Sequence, residues 1–321
     1  MQRVTAAQWR TLNWLVRWLI MVRAPVLVMT LSSGLAGVLL ALQVGSVSWP
    51  MAVVILLGLT FAHATNNLLN DWVDHATGVD KGNYFRQRYG THVLEDLLVT
   101  KKNMALVILG TASIAAAAGV YLMLVSPVAT NVMLLTAIGA VFVLFYTWPL
   151  KHLALGELSV LLVWGPLMTA GTFYVLTETI SLEVLLVSLL AGIGPTLVIF
   201  GKHIDKIADD TNKGVNTLPV VLGMKRSLLV TRLLLGWLAV CLLLAILVFE
   251  FYALAVCLLA VPRAWQLNQV LARPAPRDKP AAYPETIWPL WYSASAFGFV
   301  RVFGVTLLVG LGLQLLMPIL V

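Results

Sequence analysis

The chain has 321 residues, 60% of them hydrophobic and only 11% charged, less than half the charged share of a typical soluble domain. A globular domain of this length could not bury so much apolar surface, so the composition excludes an ordinary soluble fold and points to lipid as the solvent. The net charge of +7 would suit nucleic acid or an anionic membrane surface, and its placement along the chain decides between the two.

Residues 1–21 come first. Trp9, Leu12, Val16 and Leu19 recur at helical spacing, while Arg3, Arg10 and Arg17 repeat every seven residues on another face. This pattern predicts an amphipathic helix lying in the membrane interface. The first long apolar run begins near Met21 and has the length of a span, which argues against a cleavable signal. Nine spans follow, at about 22–44, 50–70, 104–125, 128–148, 155–176, 182–202, 227–248, 251–271 and 290–320. Their apolar runs show no strict alternation, so helices satisfy the backbone rather than a closed barrel. The expected fold is an all-α polytopic membrane protein, one domain over residues 1–321. Cys241 and Cys257 both fall inside apolar runs, which leaves no disulfide framework and no cysteine metal site.

The basic residues set the expected sidedness. With nine spans, the segments on the N-terminal side are 1–21, 71–103, 149–154, 203–226 and 272–289. All 21 lysines and arginines lie in or beside these segments, and the opposite connections near 45–49, 126–127, 177–181 and 249–250 hold none. By the positive-inside rule the N-terminus is cytoplasmic. The charge therefore reports topology and anionic lipid, and no nucleic-acid partner is expected.

Two polar clusters carry the chemistry. The second span ends in FAHATNNLLNDWVDHATGVD, where Asn66, Asn70 and Asp74 are spaced by four, as are His63, Asn67 and Asp71. Two adjacent polar rows thus line one side of a helix end. Intramembrane polar groups are costly and mark function by default, and hard oxygen ligands suit magnesium. The sixth span ends in GKHIDKIADDTNKGVNTLP, with Asp205 and Asp209 four apart, Asp210 beside them, and Lys202, His203 and Lys206 interleaved. Both clusters follow even-numbered spans, so topology puts them on the same cytoplasmic face, in the loops 71–103 and 203–226. Two carboxylate clusters facing one cavity, with cations in reach, can bind a diphosphate bridged by divalent cations.

These motifs resemble those of the UbiA-type intramembrane prenyltransferases. NDWVDHATGVD is similar to the first aspartate motif of that family and DKIADDTNKGVNTLPVVLG to the second. The likeness is nearest to the 1,4-dihydroxy-2-naphthoate prenyltransferases of menaquinone synthesis, also around Tyr146, Lys151, Gly156, Glu157, Gly165, Pro166 and Gly171. The resemblance implies nine helices around a central cavity and Mg2+ as cofactor. It implies metal ligands at Asn70 (or Asn67), Asp71 and Asp74, and at Asp205 and Asp209. One position departs from the family pattern: Gly214 lies four residues after Asp210 but five after Asp209, which leaves Asp209 and Asp210 as alternatives.

The implied reaction is ionisation of a polyprenyl diphosphate and capture of the carbocation by an aromatic small molecule, from a bacterial cell (inner) membrane with the site facing the cytoplasm. Arg86, Arg88, Lys101, Lys151 and Lys202 are the candidate electrostatic clamps. Tyr146 and Trp148 are either cation-facing rings or interfacial anchors. His63 is either a base or a hydrogen-bonding neighbour, and the stretch 81–103 is long enough for a lid. Other acceptors stay open, namely hydroxybenzoate, homogentisate, a chlorophyll-type ring or a polar-lipid head. A secondary transporter or a silent subunit are the competing classes. Acids at helix ends on one side, rather than at broken helices in the midplane, favour the enzyme.

Overall fold

A computed structural model describes residues 3–82 and 90–317, all helical or irregular with no strand among them. Arg86 and Arg88, two of the expected clamps, lie outside the described residues.

The expected interfacial helix is two short helices, α1 (Ala6–Thr11) and α2 (Trp14–Met21). Thr5 closes a capping box with Gln8, and Asn13 caps α2 through a 2.9 Å bond from Val16 N–H, so the chain stops and restarts at Leu12. The segment is also docked. Trp9 is buried, Arg3 pairs with Asp96 at 2.5 Å, and Val4 N–H donates to Thr91 Oγ1 at 2.9 Å.

Seven further elements carry the apolar runs up to residue 247. They are α3 (Ala24–Val44), α4 (Trp49–Ala76), α5 (Lys101–Val125), α6 (Ala129–Phe145), α7 (Gly156–Thr177), α8 (Leu182–Asp205) and, after the short α9 (Ile207–Asn212), α10 (Leu218–Leu247). Two more, α11 (Tyr252–Leu271) and α12 (Tyr292–Gln314), complete the bundle. Among the described residues eight helices are long and apolar enough to cross a membrane, and α6, at 17 residues, is a shorter apolar helix where a fourth span is expected.

Local chemistry sets several boundaries. Pro25 and Pro50 sit in the first turns of α3 and α4, where the missing N–H has no intrahelical partner to lose. Pro166 lies inside α7, and the turns around it, Val163–Ala170, widen to π-helix. α10 begins at Leu218, earlier than the expected 227, with a break at Gly223 (φ 73°), a backbone conformation glycine tolerates without strain. α4 runs on to Ala76 and α8 to Asp205, so both acidic motifs begin on helix ends and the loops 71–103 and 203–226 start inside helices.

α8 is the most buried span and the centre of the main core, which gathers Leu190, Ile193 and Leu197 of α8 with Phe299 and Phe303 of α12 and Leu254 of α11. It lies close enough to α7 that a Cβ on Gly192 would sit 2.7 Å from the Leu161 carbonyl oxygen. Outward faces are apolar: Leu109, Leu124, Leu233 and Leu259 are all more than half exposed, as lipid-facing surfaces are.

Candidate active site

α3, α4, α5, α6, α7 and α8 wall a cavity of about 530 Å³. At one end α4, the turn after α6, and the α8–α9 corner bring Asp74, Lys151 and Asp210 to the same wall. The far end is lined by Ile55, Leu122, Val132 and Val175, so the cavity changes from charged to apolar along its length.

Each carboxylate at the charged mouth faces a cation. Lys151, buried, donates to both oxygens of Asp74 at 2.8 and 3.1 Å. Asp71 is buried behind Arg23, whose guanidinium bonds it directly and also reaches Asn70 Oδ1 at 3.4 Å. Lys206 pairs with Asp210 at 3.5 Å across one turn. Charged groups so desolvated persist only when paired.

The amides orient through their nitrogens. Asn67 donates to the Val22 carbonyl at 2.9 Å, Asn70 to Thr147 Oγ1 at 3.1 Å, and Asn66 to the Val143 carbonyl at 2.9 Å. Lys213 ties the two motifs together by donating to the Val79 carbonyl and, at 2.9 Å, to that of Lys81. Beside the mouth, His203 Nδ1 meets the buried Glu157 Oε1 at 2.6 Å, and Asp80 meets His92 at 2.6 Å. Burial, and then the Lys151 ammonium, hold the His152 imidazole below its ordinary range.

The expected residues divide on this geometry. Asn67, Asn70, Asp74 and Tyr146 line the cavity, as do Lys151, Lys202 and Asp210. Asp71 stands one layer back, touching the site through Arg23. Of the alternatives Asp209 and Asp210, Asp210 lines the cavity. Asp209 does not, and its Oδ2 is buried without a partner among the described residues. Lys101 is the exposed first residue of α5 and is not among the cavity's lining residues.

Asp205, expected as a metal ligand, bonds to the start of α12. Its Oδ1 accepts from the Trp291 and Tyr292 N–H groups at 3.1 and 3.0 Å, and its Oδ2 from Ser293 N–H at 3.0 Å and Ser293 Oγ at 2.6 Å. It caps α12 from another helix, satisfying the donors a helix start leaves open. Tight packing makes this possible, since a Cβ on Gly201 would lie 2.7 Å from Ser293 N. Next to it, burial and then the Asp205 carboxylate push the Tyr283 phenol up to about 12.

Arg23 is the site residue that sequence reasoning missed. It counts there as one of several topology-setting arginines, although its position at the start of a span, two residues before Pro25, separates it from the others. Lys206, four residues before Asp210, carried a readable signal in its i, i+4 spacing.

The residues present fit magnesium. The mouth offers carboxylates and amide oxygens, the hard donors this ion takes. Among the described residues no three His, Cys, Asp or Glu side chains cluster closely enough to cage an ion.

Helices of membrane length around a cavity that is charged at one end and apolar at the other define an integral multi-pass membrane protein. The model of the UbiA prenyltransferase family matches residues 30–293, and the chain belongs to that family. It is 31% identical over 164 residues to the 2-carboxy-1,4-naphthoquinone phytyltransferase of Synechocystis sp., an alignment covering 50% of each chain. It is 26% identical over 213 residues to the 1,4-dihydroxy-2-naphthoate octaprenyltransferase of Escherichia coli, covering 64% of this chain and 68% of that one. The chain thus spans about half the length of the Synechocystis relative.

Solved structures share the fold. A UbiA homolog from Aeropyrum pernix superposes with a TM-score of 0.62 at 15% identity, covering 88% of this chain and 96% of that one. A UbiA homolog from Archaeoglobus fulgidus, bound to GPP and Mg2+, gives 0.57 at 14% identity, covering 90% and 99%.

Proposed function

We propose that this protein transfers a prenyl group from a polyprenyl diphosphate to an aromatic acceptor, 1,4-dihydroxy-2-naphthoate, with magnesium, as a step toward menaquinone. The observation that carries the reading is the pairing of Asp74 with Lys151 and Asp210 with Lys206 at the mouth of an otherwise apolar cavity. Anionic substrate groups and the prenyl chain find matching surroundings at opposite ends of that cavity. The naphthoate relatives and the GPP and Mg2+ of the Archaeoglobus homolog support the same reading.

Asp74 and Asp210, with the amide oxygens of Asn67 and Asn70, are the residues that would hold the ion, and Asp71 would support them through Arg23. When bound, magnesium stabilises negative charge on the departing diphosphate. Lys151, Lys206 and Arg23 can turn from carboxylate to phosphate oxygens as substrate enters, and Lys202 lines the same cavity, adding fixed positive charge where negative charge grows. The C–O bond breaks and diphosphate leaves with both bonding electrons; the allylic carbon bonds to the electron-rich ring, and that ring carbon regains aromaticity by losing its own substituent, a proton or the carboxylate as CO2. The apolar walls keep water from the cation. The basic residues gathered at this end support a cytoplasmic mouth, a cytoplasmic N-terminus and nine crossings with α6 among them.

The test is to incubate purified protein with magnesium, labelled geranylgeranyl diphosphate and a panel of aromatic acceptors. Prenylation of dihydroxynaphthoate alone, abolished by chelation, is expected. No product with any acceptor from folded protein would overturn the reading.

A further inference from the structure

Two acidic motifs, taken as patterns along the chain, suit one divalent ion each, yet the mouth they form is rich in cations. Among the described residues, Arg23, Lys151, Lys202 and Lys206 line the cavity against only two carboxylates, Asp74 and Asp210. The other acids of the region are engaged elsewhere. Asp71 bonds Arg23, Asp80 meets His92, Glu157 meets His203, and Asp205 bonds to the start of α12. Asp209 is not among the cavity's lining residues.

The two sides of the mouth differ in kind. On α4, Asn67, Asn70 and Asp74 follow at helical spacing and all line the cavity. The amide nitrogens donate to the Val22 carbonyl and to Thr147 Oγ1, so oxygen is the atom each amide has for a cation. These are hard donors of the kind magnesium takes. At the α8–α9 corner, Lys202, Lys206 and Asp210 follow at intervals of four, two ammonium groups to one carboxylate, and Lys206 holds Asp210 at 3.5 Å. An ammonium so placed repels a divalent ion and occupies the oxygens the ion would need.

Charge balance points the same way. In a diphosphate ester the terminal phosphate carries about two negative charges and the inner one about one. The excess of lining cations together with one magnesium ion already exceeds that charge. A second ion would add more positive charge where Asp74 and Lys151 are both buried, and like charges repel most in such surroundings. We infer that the mouth takes a single magnesium ion per diphosphate, and that Lys202 and Lys206 stand in for a second on the α8–α9 side. The inference deepens the proposed transfer and rests on its diphosphate site.

The experiment uses the full chain in nanodiscs of zwitterionic lipid, with labelled geranylgeranyl diphosphate and no acceptor. Bound Mn2+ is counted by the loss of its free-ion electron paramagnetic resonance signal, with empty nanodiscs carrying the same diphosphate subtracted. A single manganese ion per bound diphosphate is expected. Lys202→Gln and Lys206→Gln should each weaken diphosphate binding about tenfold, and Lys206→Arg, which keeps the charge, by no more than about twofold. A second ion per diphosphate in the wild type, or none, overturns the inference without any variant. So does a glutamine variant that binds within about twofold of wild type, or an equal loss in Lys206→Arg and Lys206→Gln. No bound diphosphate from folded protein refutes the transfer reading. Bound diphosphate with a second ion leaves that reading and refutes only the single ion.

Discussion

At the residue scale the site consists of carboxylates that each hold a cation, and their replacements should not be equivalent. Asp74→Asn removes the charge that both Nζ bonds of Lys151 rely on, at the cavity wall itself. Magnesium-dependent prenylation, followed with labelled geranylgeranyl diphosphate, should fall by about 10²–10³-fold, the cost of losing one group that stabilises developing charge. Asp210→Asn should fall comparably, and Asp209→Asn by less than about tenfold, because only Asp210 of the two lines the cavity. Equal losses at both positions would contradict this placement. Asp205→Ala belongs to a different class. Four hydrogen bonds to the start of α12 disappear, and stability should drop by about 1–3 kcal/mol, read as a lower thermal midpoint in detergent. The KM for diphosphate should stay near that of the wild type. A normal midpoint with a raised KM would instead mark Asp205 as a ligand.

At the scale of elements, the site is positioned by close helix crossings. Gly201 lets α8 approach the first turn of α12 so nearly that an added methyl would sit 2.7 and 2.8 Å from Ser293 backbone atoms. Gly201→Ala should therefore cost about 1–3 kcal/mol as overpacking and loosen the Asp205 cap with it. The check is thermal unfolding of Gly201→Ala, Asp205→Ala and the double variant. The double should cost clearly less than the sum, since both act on one contact. Much of this scale was legible. Apolar runs predicted the helix starts to within three residues, save that α10 begins nine residues earlier, and i, i+4 spacing put Asn67 with Asp71 and Asn70 with Asp74 on one side of α4. The fate of Asp205 was not legible, because its partners lie 86–88 residues away and no local pattern records a cap supplied by another helix.

For the whole molecule, the placement of 21 basic residues predicts one sidedness. A cysteine at Thr179, between α7 and α8, should react with a membrane-impermeant maleimide on intact spheroplasts. A cysteine at Arg277, between α11 and α12, should react only after permeabilisation. The native Cys241 and Cys257 are both buried and should stay silent. The reverse labelling would invert the molecule and move the charged mouth to the outer face.

The sequence by itself determined that this is a lipid-solvated helical bundle with its acidic motifs on helix ends at one side. Composition, span length and charge placement are properties of the chain's contact with its solvent, and they need no knowledge of which helix touches which. Only the tertiary structure decided which acids of those motifs reach the cavity. Asp74 and Asp210 meet lysines there, Asp71 stands behind Arg23, and Asp205 turns away to hold α12. A carboxylate is drawn to the nearest cation or open N–H group, and which of these is nearest depends on how helices distant in sequence cross.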